Sequence, residues 1–478
     1  MTSPLEQLKN NFMTLAHQWD QDIIPVLKQY IEIPNKSPHF DTAWKQHGYM
    51  DQAMALIQAW CEKQPIKNMT LEVLELENRT PLLFIDIPGH SAETVLLYGH
   101  MDKQPEMEGW DENKGPWKAV QEGDLLYGRG GADDGYSTFA SLSAIAYLQK
   151  LNIPHARCVV MIEGCEESGS YDLPFYISHL KERIGTPNLV ICLDSGCGNY
   201  KQLWQTTSLR GLAGGTLTVK VLTEGIHSGS GSGIVPNPMM IMRDLLARLE
   251  DKKTGKIIVD ELHVEIPQLR IEQAEQTAPL LKEELNDAIP FVKGAHSVVA
   301  DTKELLLNRT WRPALSVTGV EGLPTLANAG NVTVPYLSLK LSMRLPPTCD
   351  AKKASHAIQQ IVEQDPPFGA QVTYQPDQSA NGWEAPPLSE WLVDAVNHSS
   401  HLFFDRPSAY FGEGGTIPFM SMLGRLFPQA EFLITGVLGP RSNAHGPNEF
   451  LHISMAKKLT GCVAAVIAQH FIHYDSHK

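Results

Sequence analysis

The stretch Val95–Asp102, VLLYGHMD, sets an apolar run against a polar end carrying His100 and Asp102. An apolar run without polar alternation fits a strand buried on both faces, as in a parallel sheet. Three further stretches have the same design: CVVMIEGCEESGS from Cys158, LVICLDSG from Leu189 and FLITGVLGP from Phe432. Each ends in a Gly-rich or acidic turn. Helical segments lie between them, most clearly GYSTFASLSAIAYLQK over Gly135–Lys150. Strands alternating with helices predict an α/β fold with the sheet between helix layers, and such sheets place their sites beyond the carboxyl ends of the strands.

The middle of the chain reads differently. TLTVKVL from Thr216 leads into a Gly/Ser-rich loop, IHSGSGSGIVPNP, and then a helical run, MMIMRDLLARLE. In YLSLKLSMRLPP, Leu337, Leu339, Leu341 and Met343 alternate with Ser338, Lys340, Ser342 and Arg344. That period of two marks a strand with one buried and one exposed face. The helical AKKASHAIQQIVEQ follows, so this region reads as a smaller α+β unit with an antiparallel sheet. Candidate ligands lie on both sides of it. The expected organisation is therefore a discontinuous catalytic domain, residues 1–205 and 386–478, interrupted by an inserted domain, residues 206–385.

The polar ends of the strands carry the chemistry. His100 is a neutral nitrogen donor suited to zinc, and a neighbouring carboxylate, assigned to Asp102, fixes its tautomer and raises its basicity. In LLYGRGGADDGYSTF, Asp133 and Asp134 precede a helix, where acids also serve as N-cap and dipole charges. Read with its glycines, the turn offers a carboxylate able to bridge two metals, and Asp133 is taken as that bridge. Glu166 and Glu167 follow a strand end, where successive side chains diverge; one can ligate metal while the other moves a proton. Asp194 ends a buried apolar strand, which packing does not explain, because an unpaired buried carboxylate is costly. His445 lies in the turn ITGVLGPRSNAHGPNEF. Two histidines and three carboxylates form the donor set expected for zinc, with manganese or cobalt as substitutes. Two divalent ions with a bridging hydroxide balance three carboxylates.

Composition sets the wider bounds. The chain has 478 residues, 42% of them hydrophobic and 19% charged, as expected for a globular protein of two or three units. With 39 basic and 54 acidic residues its net charge is -15, which disfavours phosphate-backbone binding, so no nucleic-acid partner is expected. The first residues alternate polar and apolar at helical spacing and read as a surface helix, not a secretory signal. No apolar run reaches the ~20 residues needed to span a bilayer. The seven cysteines are odd in number and form no CxxC pair, so reduced thiols and a cytoplasmic location are expected.

GHMD, GWD, LYGRGGADDG, EGCEESGS, LDSG, IHSG, the strand ending near Arg344, GEGGTIP and AHGPNEF, in this order, resemble the carnosinase and cytosolic dipeptidase branch of the aminoacylase-like di-zinc metallopeptidases. The resemblance runs through most of the chain. It implies a di-zinc exopeptidase-like catalytic domain with an inserted lid and dimerisation domain, and a homodimer that hydrolyses dipeptides or short peptides. It assigns His100 and Asp194 to one metal, Glu167 and His445 to the other, and Asp133 to both. Glu166 becomes the general base for a metal-activated water. His227, in the IHSG loop, looks like the family residue that reaches across the dimer to the oxyanion. Arg344 looks like the residue that holds the substrate carboxylate, and Thr416 like a small hydroxyl contact to substrate. Two departures put substrate preference in doubt: DDGYST lacks the Lys that often follows the acidic pair, and Ala380 and Asn381 stand where a substrate-contacting His is expected. An N-acyl amino acid deacylase of desuccinylase or deacetylase type is the nearest alternative. A non-catalytic peptide- or metal-binding relative is another, opposed by Glu166, for which a binding module has no use.

Overall fold

The computed structural model describes residues 3–415 and 418–475. A six-stranded mixed sheet runs in the order Thr70–Leu74, Leu82–Ile87, Arg157–Glu163, Thr94–His100, Leu189–Cys192, Glu431–Ile434. The pairings among the first three strands are antiparallel and the remaining ones parallel. The four parallel strands are the four apolar stretches found in the sequence. Their carboxyl ends therefore open on one edge, and His100 and the segments leading to Glu166, Asp194 and His445 emerge there together.

All seven residues of Thr94–His100 are buried. Val95 and Leu97 pack into one core with the helices Tyr136–Lys150 and Ile453–Asp475. Leu96 and Tyr98 face the opposite layer, with Leu173, Tyr176 and Leu180 of the helix Leu173–Ile184. Full burial of a Leu or Val contributes ~1.5–3 kcal/mol, so polar residues are driven to the strand ends. Residues Tyr136 to Leu148 are buried without interruption, as in a helix enclosed on every side. Its many Ala and Ser residues let neighbouring elements approach closely.

The N-terminal segment is helical but is not one surface helix. It breaks near Asn11 and passes through a wider turn at Trp19–Ile23 before Ile24–Ile31. Leu8, Leu15, Trp19, Leu27 and Tyr30 enter the main core. Periodicity identified the helix but not the tertiary surface that covers its apolar side.

The intervening region builds an antiparallel four-stranded sheet, ordered Ala314–Glu321, Tyr336–Leu345, Gly211–Lys220, Gln371–Ala380. Leu337, Leu339, Leu341 and Met343 form its core with the helices Pro238–Ala247 and Ala351–Glu363, while Lys340 is exposed. Asp350 caps the second helix by accepting from the Lys352 and Lys353 amides at 3.1 and 3.0 Å. The helices Gln268–Leu281 and Thr302–Thr310 pack instead against Ala409–Glu413, which pairs with Trp204–Leu209. Among the described residues, no helix is long and apolar enough to cross a membrane. All seven cysteines are buried and free.

Candidate metal centre

Beyond the carboxyl edge of the sheet, two groups of side chains able to hold a metal ion share one residue. His100, Asp133 and Asp194 form one, and Asp133, Glu167 and His445 the other, with the donor atoms of each group within 4.8 Å of one another. His100 Nε2 lies 3.3 Å from Asp133 Oδ1 and 3.8 Å from Asp194 Oδ1. His445 Nε2 lies 3.0 Å from Asp133 Oδ2 and 3.4 Å from Glu167 Oε2. Asp133 thus presents one oxygen to each histidine.

Local backbone geometry makes this possible. Asp133 and Asp134 sit in the tight turn Gly131–Gly135, joined by a cis peptide, immediately before the helix at Tyr136. A Cβ on Gly99 would overlap the Ser137 and Asp134 side chains, so a glycine there lets the strand end abut the turn. Asp134 turns back to accept the His100 amide at 3.2 Å. Only Asp133 is then left to face the histidines.

His100 Nδ1 lies 3.1 Å from the Asp102 carbonyl and 3.4 Å from its carboxylate. Both Asp102 oxygens lie within reach of the ring nitrogen, the carbonyl nearer. The Asp102 carboxylate also accepts the amides of Glu166 and Glu167, each at 3.0 Å. One buried acid therefore orients both glutamates through their backbone. The opposite ring nitrogen, His100 Nε2, is buried and has no hydrogen-bond partner among the described residues. An orphaned imidazole nitrogen facing two carboxylates fits a divalent cation, and so does the mixed nitrogen and oxygen donor set.

The electrostatics fit the same assignment. Burial disfavours ionisation of Asp133, yet the His100 and His445 rings beside it hold its carboxyl well below the usual range. Burial, reinforced by Asp133, raises Glu167 to about 8. Burial and then Asp194 push Glu166 well above the ordinary carboxyl value. Burial opposes charge on His445, but Glu167 and Asp133 outweigh it and raise the ring to about 9. Anionic charge packed this closely is what bound cations relieve.

The sequence model of peptidase family M20/M25/M40 matches residues 96–469. The chain belongs to this peptidase family. Among M20 relatives, it is 26% identical over 400 residues to a cysteinylglycine-S-conjugate dipeptidase of Corynebacterium striatum, covering 80% of this chain and 83% of the relative. It is 29% identical to the Cys-Gly metallodipeptidase DUG1 of Saccharomyces cerevisiae, covering 76% of each. The solved structure of the latter's dipeptidase Dug1p superposes with a TM-score of 0.78 at 22% identity, over 98% of both chains. Human carnosine dipeptidase 1 gives 0.78 at 20% identity, over 98% of this chain and 99% of that one. These likenesses establish the M20 fold.

The other anticipated residues lie outside the two ligand groups. His227 is exposed in the smaller unit, where its Nδ1 accepts the Gly229 amide at 3.0 Å. Arg344 is half-buried on the strand Tyr336–Leu345, opposite Leu212. Thr416 lies outside the described residues. Three supporting residues of this M20 site escaped the sequence reading. Gln104 donates to Glu167 Oε2 at 2.7 Å. Arg129, buried and paired with buried Glu449, donates to the His445 and Gly446 carbonyls at 3.1 and 3.0 Å. Glu449 also accepts the Gly130 amide at 2.9 Å, so the pair ties the His445 loop to the Asp133 turn. These residues lie inside GHMDKQP, GRGG and HGPNEF, but nothing local distinguishes them from solvated polar positions.

Proposed function

We propose that this chain is a cytoplasmic, homodimeric metallodipeptidase that hydrolyses one amide bond of a dipeptide or short peptide, using two divalent ions per subunit. The observation that carries the reading is Asp133, shared by two ligand groups. Relatives that are Cys-Gly and Beta-Ala-His dipeptidases support the substrate class. His100 and Asp194 would hold one ion, Glu167 and His445 the other, and Asp133 both, with zinc favoured over manganese or cobalt by the donor set. Bound ions supply Lewis acidity to the scissile carbonyl and ease ionisation of the attacking water. Glu166 takes the proton from that water and passes it to the leaving amine. Asp102 fixes the backbone from which Glu166 acts. Arg344 holds the substrate carboxylate by its planar guanidinium, and Thr416 supplies a hydroxyl contact.

In this reading, residues 1–205 and 386–478 form the catalytic domain and residues 206–385 the lid through which two subunits pair. His227 stabilises the oxyanion in the partner's site. Ala314–Glu321, an edge of the lid sheet, exposes Val317 and Val320, and apolar side chains on an unpaired sheet edge support a pairing surface. Seven free thiols support a reducing compartment.

The test is metal analysis of the purified protein with a hydrolysis panel of unblocked dipeptides and N-acyl amino acids. Two ions per subunit and cleavage of free dipeptides are expected. Hydrolysis confined to the acylated compounds would replace the reading with a deacylase, and a metal-loaded protein that cleaves neither would be a binding relative. Glu166→Ala should keep its metals while turnover falls ~10²- to 10⁴-fold.

A further inference from the structure

Lys103, in the segment that follows His100, is completely buried. Its Nζ donates to the carbonyls of Tyr30 and Ile33 at 2.7 and 2.8 Å and, more loosely, to that of Ile31 at 3.4 Å. These carbonyls close the C-terminal end of the helix Ile24–Ile31, where a cation is favoured and carbonyls otherwise lack donors. The Tyr30 ring centroid lies 3.9 Å from the same nitrogen. Burial pulls the pKa of this amine well down, and Glu449 opposes the pull. Three carbonyls match the three N–H donors of an ammonium, whereas a neutral amine would turn a lone pair toward one of them. A methionine would fill the same space at less cost, so the amine answers a need other than packing.

The neighbours of Lys103 point the other way. Asp102 accepts the Glu166 and Glu167 amides, and Gln104 donates to the Glu167 carboxylate. Alternation along an extended segment sends the intervening side chain to the opposite side, toward Tyr30. The backbone is tied to the same region. The Lys103 amide donates to the Asn35 carbonyl at 3.2 Å, and its carbonyl accepts the Ser37 amide at 2.9 Å. The Met101 carbonyl accepts Asn35 Nδ2 at 2.7 Å and the Tyr30 hydroxyl. The lysine stem also supports a second ligand element. A Cβ on Gly130 would stand 2.6 Å from Lys103 Cγ and Cε, so the stem crosses directly over the glycine that leads into the Asp133 turn. A Cβ on Gly135, which closes that turn, would overlap the Tyr30 ring. Lys103 therefore joins the helix end, the segment that orients both glutamates and the turn that carries the shared aspartate.

We propose that Lys103 is a positioning residue of the metal centre, holding the Asp102–Gln104 segment and the Asp133 turn against the helix end and so fixing the spacing of the two ligand groups. The inference rests on the metallodipeptidase reading. The test is Lys103→Met, which keeps the length and apolar stem and removes the donors. Wild type and variant are loaded with cobalt(II), whose visible absorption reports ligand geometry, and kcat and KM are measured for a dipeptide. Cobalt affinity should fall ~10- to ~100-fold, and the bands of the fully loaded variant should differ from those of wild type. Turnover should fall ~10²-fold with KM within about twofold, as for displaced catalytic groups. A folded variant with the wild-type spectrum, affinity and kcat, changed only in thermal stability, would make Lys103 a helix cap and overturn the proposal. If Lys103→Met fails to fold, amide hydrogen exchange of the wild type decides. By reciprocity, metal must steady the segment that steadies the metal, so zinc should slow the Lys103 and Ser37 amides ~10- to ~100-fold beyond those of the strand Gly211–Lys220. Equal slowing, or none, overturns the proposal. Wild type that binds no cobalt overturns the metal reading together with it. Wild type that binds cobalt but cleaves no dipeptide overturns the substrate reading alone, and spectrum and affinity still decide the role of Lys103.

Discussion

Replacing Asp102 by Asn tests whether one buried carboxylate organises both Glu166 and Glu167. Asp102 is fully buried and accepts the amides of Glu166 and Glu167 at 3.0 Å each. Asparagine has nearly the same shape, but it presents one acceptor and one donor where the site offers two donors. One amide keeps a neutral hydrogen bond, and the other faces an N–H group. Hydrogen bonds to charged groups contribute ~1.5–3 kcal/mol each, so losing one and weakening the other costs about 2–4 kcal/mol. At 1.4 kcal/mol per factor of ten, kcat/KM should fall ~30- to ~1000-fold. Metal affinity should also fall ~10- to ~100-fold, as when an outer partner of a ligand is removed, because Glu167 loses its backbone anchor. The assay is kcat/KM for a dipeptide in buffered zinc at saturating and limiting concentrations, with metal content and thermal unfolding measured in parallel. A fully metallated, stable Asp102→Asn enzyme within about threefold of wild type would refute the reasoning.

Other perturbations follow from the same geometry. Arg129→Met leaves Glu449 buried without its guanidinium and frees the His445 carbonyl; breaking such a pair costs ~3–5 kcal/mol, so denaturant unfolding should show that loss and metal titration should show weakening at the His445 group first. Glu163, raised by burial and then by Asp102 to about 7, binds a proton in the folded chain that the unfolded chain releases above its ordinary 4.5. Its contribution to stability therefore declines as pH rises from about 4.5 to 7, and Glu163→Gln should gain up to ~3 kcal/mol on wild type across that window in urea unfolding. A gain independent of pH would show that ionisation of Glu163 is not its source. For the proposed trans role of His227, mixing inactive His227→Ala and Glu166→Ala subunits should restore part of the activity; none, despite demonstrated exchange, would place His227 outside the partner's site.

Much of this was legible in the sequence, for reasons that differ by element. Val95–Tyr98 and its three counterparts announce themselves because a strand buried on both faces needs an uninterrupted apolar run. Leu337 to Met343 does so because a half-buried strand alternates. Asp194 stands out because a carboxylate ending such a strand requires a partner. The N-terminal helices were legible in type but not in burial, since Trp19 reaches Thr460 across 441 residues. Arg129 and Glu449 are 320 residues apart, and their pairing exists only once the sheet has brought two loops together. Local pattern reports which face of an element is apolar, and it carries no record of which distant loop will meet it.

The two acidic pairs make the limit concrete. In Asp133-Asp134 and Glu166-Glu167 the neighbours are chemically alike, and spacing does not decide which one ligates. The fold separates them through the backbone. In the first pair, Asp134 is spent on the His100 amide, which leaves Asp133 to face both histidines. In the second, Asp102 fixes both amides, Gln104 and His445 draw Glu167 to one side, and burial together with Asp194 acts on Glu166. Each pair is thus divided by a residue on the Thr94–His100 strand or just beyond it. The proposed division between ligand and base follows from that strand's position in the sheet, so Asp102→Asn should disturb both roles together whereas Glu166→Ala should remove only one.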